Sequence, residues 1–133
     1  MEESYVRAFP TASREVPAVV FRHGLYHLFS SGCSGWDPNP CQHAVAERMD
    51  GSWRVVGDPC VGEGSETTFR SQGSFILSLT DGETIFLADR WVKEDLQNSR
   101  YVWLPMTWEG ERARIRWQDS WSPSIAPGQV TAR

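Results

Sequence analysis

Cationic residues are too scarce in this chain to suggest a partner made of nucleic acid. Thirteen Lys and Arg stand against seventeen Asp and Glu, a formal charge of -4, and that balance builds no basic face. Long hydrophobic runs are missing too: no window approaches the ~18 apolar residues of a membrane span. The opening residues, MEESYVRAF, are polar and acidic, so no secretory signal is expected in the sequence as given, and the compartment is left open. Cysteine is sparse and odd in number. Cys33, Cys41 and Cys60 allow either a Cys33–Cys41 bridge or three free thiols, and their spacing matches no zinc motif. The three histidines, His23, His27 and His43, form no ligand-like cluster, so neither a metal nor a cofactor is expected.

Aromatic residues and turn formers are what the chain has in quantity. Seven Trp, six Phe and three Tyr, with 11 Gly and 8 Pro, favour an all-β domain with frequent reversals. At 133 residues there is room for one domain. Apolar extended runs predict strands at 17–22, 25–31, 42–48 and 53–57, then at 73–80, 83–90, 100–108 and 112–118. The turns fall at His23-Gly24, Gly32–Pro40 and Asp50-Gly51, and again at Asp81-Gly82, Trp91–Ser99 and Glu109-Gly110. Asp-Gly between two such runs is a strong hairpin signal. The two sets align as a repeat, because Gly24 and Gly82 are 58 residues apart and Gly51 and Gly110 are 59 apart. Four strands per unit at this period is the signature of propeller blades, and a plain eight-stranded sandwich also fits. Two blades alone would leave faces and edges uncovered, so the chain is expected to be part of a longer protein or of an assembly.

Repetition also locates a candidate site. Glu15 heads the first strand of one unit and Gln72 heads that of the next, 57 residues later. The first strands of blades line the central channel, so these two side chains are expected to meet. Glycoside cleavage needs a protonated carboxyl on the leaving oxygen and a partner that handles water, which suits Glu15 and Gln72; a surface pair with Arg14 and a loop-bracing amide are the plain alternatives. Trp36 offers an apolar face to a pyranose ring, and Ser34, Asp37 and Asn39 offer hydroxyl partners, although Pro38 and Pro40 also suit an ordinary rigid loop. Asp89-Arg90 ends a buried strand as an ion pair or as a substrate contact. The remaining tryptophans, Trp53, Trp103, Trp108, Trp117 and Trp121, are expected to pack between blades.

Five segments then carry a resemblance: REVPAVVFRHGLYHLFSSGCSGWDPNP (14–40), VGEGSETTFRSQGSFIL (61–77), LADRW (87–91), RYVWLPMTW (100–108) and WQDSW (117–121). In this order they resemble the C-terminal portion of family 43 glycoside hydrolases, most closely the exo-β-1,3-galactanase-like branch. The resemblance implies a five-bladed β-propeller that cleaves O-glycosidic bonds of a galactan-type polysaccharide with inversion. Glu15 falls on the general acid, with Val16 in place of a smaller residue. Gln72 falls where water is activated, Ser34 where the branch tends to have Thr beside Trp36, and Asp89 on the same channel. The family's first two blades have no counterpart here. Residues 14–60 and 61–121 are therefore expected to be two blades, with 1–13 a lead-in and 122–133 a tail, and little or no activity is expected from this chain alone. A non-catalytic carbohydrate-binding module and another family 43 activity, on arabinofuranosides or xylosides, are the alternatives.

Overall fold

A computed structural model describes residues 6–79 and 81–123; the first five residues of the expected lead-in, residue 80 and nearly all of the expected tail lie outside them. The described residues form two sheets and contain no α-helix. Strands β1 (Arg14–Arg22), β2 (Leu25–Gly32), β3 (Gln42–Ala46) and β4 (Arg54–Gly57) make a four-stranded antiparallel meander in chain order. Strands β5 (Cys60–Val61), β6 (Gln72–Ser78), β7 (Thr84–Arg90), β8 (Arg100–Glu109) and β9 (Arg112–Arg116) make a five-stranded sheet in the order β5-β9-β8-β7-β6. The described residues close no propeller.

The hairpins follow local chemistry in most places. His23 and Gly24 both take left-handed φ, 49° and 82°, the conformation of a two-residue turn whose twist matches the strands it joins. At Asp50-Gly51 the expected tight hairpin is replaced by a longer loop. β3 stops at Ala46 and β4 starts at Arg54, and Arg48 pairs with Asp50 within the loop. β5 was not expected: two residues leave no periodic signal, and Cys60 and Val61 are held through parallel pairing with Ile115 and Arg116 of β9.

β1 and β6 both start earlier than expected, so Glu15 and Gln72 lie inside strands rather than ahead of them. Proline has no N–H to give to a ladder, and at Pro17 the pairing with β2 breaks: Glu15 faces Ser31, and the next paired residue is Ala18, opposite Phe29. Val16 absorbs the bulge at φ 48°, a costly conformation for a β-branched residue.

One buried cluster joins the sheets. Ala18, Phe29 and Cys41 from the first meet Ile76, Phe86, Ala88, Val102, Leu104, Met106, Ala113 and Ile115 from the second. Phe86-Ala88 and Val102-Leu104-Met106 are alternate residues of β7 and β8, as a half-covered strand requires. Toward one end the seam turns aromatic and polar. His43 stacks on Phe29 at 4.6 Å, His27 lies edge-on to Trp108 at 4.8 Å, and the Trp108 indole N–H donates to Thr84 Oγ1 at 2.8 Å. Trp108 thus packs between the sheets as expected, whereas Trp103 and Trp117 are substantially exposed. All three cysteines are free, so the Cys33–Cys41 bridge does not form: Cys41 and Cys60 are buried while Cys33 faces outward.

Candidate active site

Glu15 and Gln72 do meet. β1 of the first sheet and β6 of the second run side by side, and the Gln72 carboxamide Nε2 donates to Glu15 Oε1 at 3.0 Å across the junction. The same nitrogen donates to Ser31 Oγ at 2.7 Å. Ser31 is the ladder partner of Glu15 on β2, and its buried hydroxyl lies near the Glu15 carbonyl, 3.5 Å away. A carboxylate, an amide and a hydroxyl from three strands are therefore linked in one hydrogen-bonded set. Ser31 was missed by the sequence reading, because its only signal is register opposite Glu15.

Two spaces flank this set. Gln72 and Ser31 line a cavity of about 100 Å³ together with Gly35–Asn39, Arg70, Ser71, Arg90 and Trp91. Glu15 lines a wider groove of about 590 Å³, formed with residues 6–14, Pro17, Leu28 and Ser30. At the mouth of the smaller cavity Trp36 and Trp91 meet edge to face, 5.6 Å apart at 79°, and both are more than two-fifths exposed. Such a corner presents ring faces and leaves room beside them.

The polar atoms of Ser34 and Asn39, expected to meet a sugar, are engaged within the loop. Asn39 Oδ1 accepts from the Gly32 amide at 2.7 Å, and its Nδ2 donates to the Gly32 carbonyl at 3.1 Å and to Ser34 Oγ. Ser34 Oγ in turn donates to the Asp37 carbonyl at 2.6 Å. These bonds brace the loop and so aim Trp36 and Asp37. Asp89 sits beside Gln72 in the ladder but does not line the cavity, whereas Arg90 does. The expected Asp89–Arg90 ion pair is absent among the described residues, since neighbouring residues of a strand point to opposite faces.

Ahead of Gln72 the backbone is strained. Thr68, Phe69 and Arg70 take φ of 51°, 58° and 60°, three consecutive left-handed residues, none of them glycine. Each costs about 1–2 kcal/mol. Several contacts over-determine the run: Phe69 N donates to Gly64 O at 2.8 Å, Thr68 Oγ1 to Asn39 O at 2.7 Å, Ser71 Oγ to Thr68 O at 2.6 Å, and Arg90 Nη2 to Phe69 O at 2.6 Å. The Thr68 bond ties this segment to the Trp36 loop, so both walls of the cavity are fixed to each other. No group of three or more His, Cys, Asp or Glu side chains among the described residues is placed to hold a metal ion.

The sequence matches no protein-family model, and no curated protein matches it. Solved structures do. A GH43 β-1,3-galactosidase, solved with galactodeoxynojirimycin, is 40% identical with a TM-score of 0.78, over 81% of this chain and 32% of that one. An exo-β-1,3-galactanase from Phanerochaete chrysosporium, solved with galactose, is 34% identical with a TM-score of 0.71, over 78% of this chain and 24% of that one. An exo-β-1,3-galactanase from Clostridium thermocellum is 30% identical with a TM-score of 0.66, over 77% and 23%. This chain is similar to family 43 β-1,3-galactosidases and galactanases over most of its own length, and spans about a third or less of theirs.

Proposed function

We propose, from the premise that this chain is built like part of a family 43 galactosidase, that it carries the proton donor and the water-handling amide of an inverting glycosidase acting on β-1,3-galactan. The observation that carries the reading is the Glu15–Gln72–Ser31 set, which joins two sheets beside a tryptophan-lined cavity. In this reading the sheets of residues 14–57 and 60–116 are two blades of a five-bladed propeller. The remaining blades come from a longer form of the protein or from a partner chain, and they cover exposed apolar side chains such as Phe21 and Val55 of the first sheet and Phe75 and Trp103 of the second.

The proposed roles follow from the groups present. Glu15 protonates the leaving oxygen and Gln72 orients water toward the anomeric carbon. Trp36 and Trp91 take the apolar face of the terminal sugar, Asp37 takes a hydroxyl, and Ser34 and Asn39 act through the shape of the loop. A pyranose has to sit between donor and water, and inverting pairs stand about 6.5–9.5 Å apart. The 3.0 Å bond between Gln72 and Glu15 must therefore open on binding, with Gln72 remaining on Ser31 while the carboxyl turns to the glycosidic oxygen.

The test is release of galactose from β-1,3-galactan by the propeller completed with its other blades, with and without Glu15→Gln. Turnover falls by at least ~10³-fold in the variant; retained hydrolysis would remove Glu15 from the role. Because the chain spans so little of its relatives, saccharide binding without turnover is the second reading for the chain alone. It predicts a titratable change in tryptophan fluorescence with galactobiose and no product.

A further inference from the structure

Two side chains of the cavity have no use in the reading above. Arg70 and Arg90 both line it, and neither is paired with a carboxylate among the described residues. Ion pairs among the described residues join Arg48 to Asp50, Arg54 to Glu111 and Arg114 to Glu109, and none includes either of these arginines. The Arg70 guanidinium makes no hydrogen bond among the described residues; only its backbone N–H is bonded, to Thr67 Oγ1 at 3.2 Å. Arg90 spends one nitrogen on the Phe69 carbonyl and lies over the Trp117 ring at 5.0 Å, while its Nε is buried without a partner. Asp37 lines the same cavity and forms no ion pair with either.

We propose that this cavity selects a saccharide carrying an anionic group, a uronate carboxylate or a sulfate ester, held between Arg70 and Arg90 beside the Trp36–Trp91 corner. The proposal rests on the cavity being the sugar site of a galactan-type glycosidase and adds that the terminal galactose unit it prefers carries the anionic group. Two guanidiniums lining one small cavity, Arg90 half-buried and Arg70 exposed, repel each other, and an anion placed between them attracts both and offsets that repulsion. Burial first, and then the Arg70 charge, holds Arg90 below the usual guanidinium range, as this account requires. The planar fork of a guanidinium matches the oxygens of a carboxylate or sulfate, often with two parallel bonds. Hydroxyls of a neutral sugar make no such demand for charge. The left-handed backbone at Arg70 shows that its placement is imposed by the structure around it rather than by local preference.

Tryptophan fluorescence or calorimetry on the protein decides it, with D-galactose, D-galacturonate, galactose 6-sulfate and inorganic sulfate as probes at low and moderate NaCl. One of the anionic sugars binds about tenfold or more tighter than galactose, and the margin narrows as salt rises. Arg70→Gln brings that ratio to within about twofold, and Arg90→Gln does the same. Arg90 also braces Phe69, so if its variant misfolds, Arg70→Gln decides alone. Equal binding of neutral and anionic sugars, a preference that survives Arg70→Gln, or inorganic sulfate binding as tightly as the sugars would each overturn the proposal. Galactan hydrolysis without any anion preference removes this inference and leaves the glycosidase reading standing. An anion preference in a completed propeller without hydrolysis does the reverse.

Discussion

Gly73, next to Gln72, is the position where a single methyl group should reach both the core and the site. A Cβ at Gly73 would lie 2.5 Å from Phe86 Cε2 and 2.7 Å from Cζ. Carbon atoms rest about 3.5–4.0 Å apart, so something has to move by about 1 Å. Phe86 is fully buried and hemmed in by the cluster that joins the sheets, whereas β6 is an edge strand. The strand is therefore the softer side, and its displacement takes Gln72 with it. A shift of that size stretches the 3.0 and 2.7 Å bonds to Glu15 and Ser31 past useful length. Overpacking costs about 1–3 kcal/mol, and the lower entropy of an unfolded Ala returns about 0.4–1 kcal/mol. Urea unfolding of Gly73→Ala should show a net loss of about 1–2 kcal/mol. Phe86→Leu, which removes the ring end, should suppress that loss in the double variant, with a coupling above about 1 kcal/mol. Additive effects, or a Gly73→Ala protein as stable as the parent, would refute the contact argument.

The buried histidines make stability depend on pH. Burial first, then the His27 and Arg112 charges, hold His43 down to about 3 from an ordinary 6.5, and burial also lowers His27. The unfolded chain takes up these protons below about pH 6.5 and the folded chain does not, so stability is full above that pH and falls as pH drops toward 3. His43 alone should cost about 2 kcal/mol at pH 5. A Tm unchanged between pH 7.5 and 5 would contradict this. Asn39→Ala strips both Gly32 groups of their partner and should cost about 1–3 kcal/mol, with a changed Trp36 emission; unaltered emission would show that Asn39 does not hold the loop. Ser31→Ala removes the anchor of Gln72 and should lower kcat in the completed propeller with KM little changed, whereas a rise in KM alone would make Ser31 a binding group.

The expectations that failed share a cause. Asp50-Gly51 promised a tight hairpin, but a dipeptide cannot say how far its flanking strands run, and the Arg48–Asp50 pair stabilises a longer loop there. β5 exists only because β9 offers it an edge. Ser34 and Asn39 look like sugar ligands in a polar loop, yet their atoms are bonded to the loop itself. In each case the deciding partner is one that composition cannot reveal.

Alternation of apolar residues, the turn formers at His23-Gly24 and Asp81-Gly82, and a four-strand period of about 58 residues were enough to read two meanders and to bring Glu15 opposite Gln72. Local preference and repetition carry that much, because strand period and turn chemistry depend on near neighbours. Which atoms share a cavity depends instead on contacts between distant segments. Ser31 under Gln72, Arg70 held left-handed beside Arg90, Trp91 against Trp36 and the bulge at Val16-Pro17 were decided only when the two sheets packed. Packing could impose those conformations because the buried cluster and the hydrogen bonds between loops outweigh the local strain they demand.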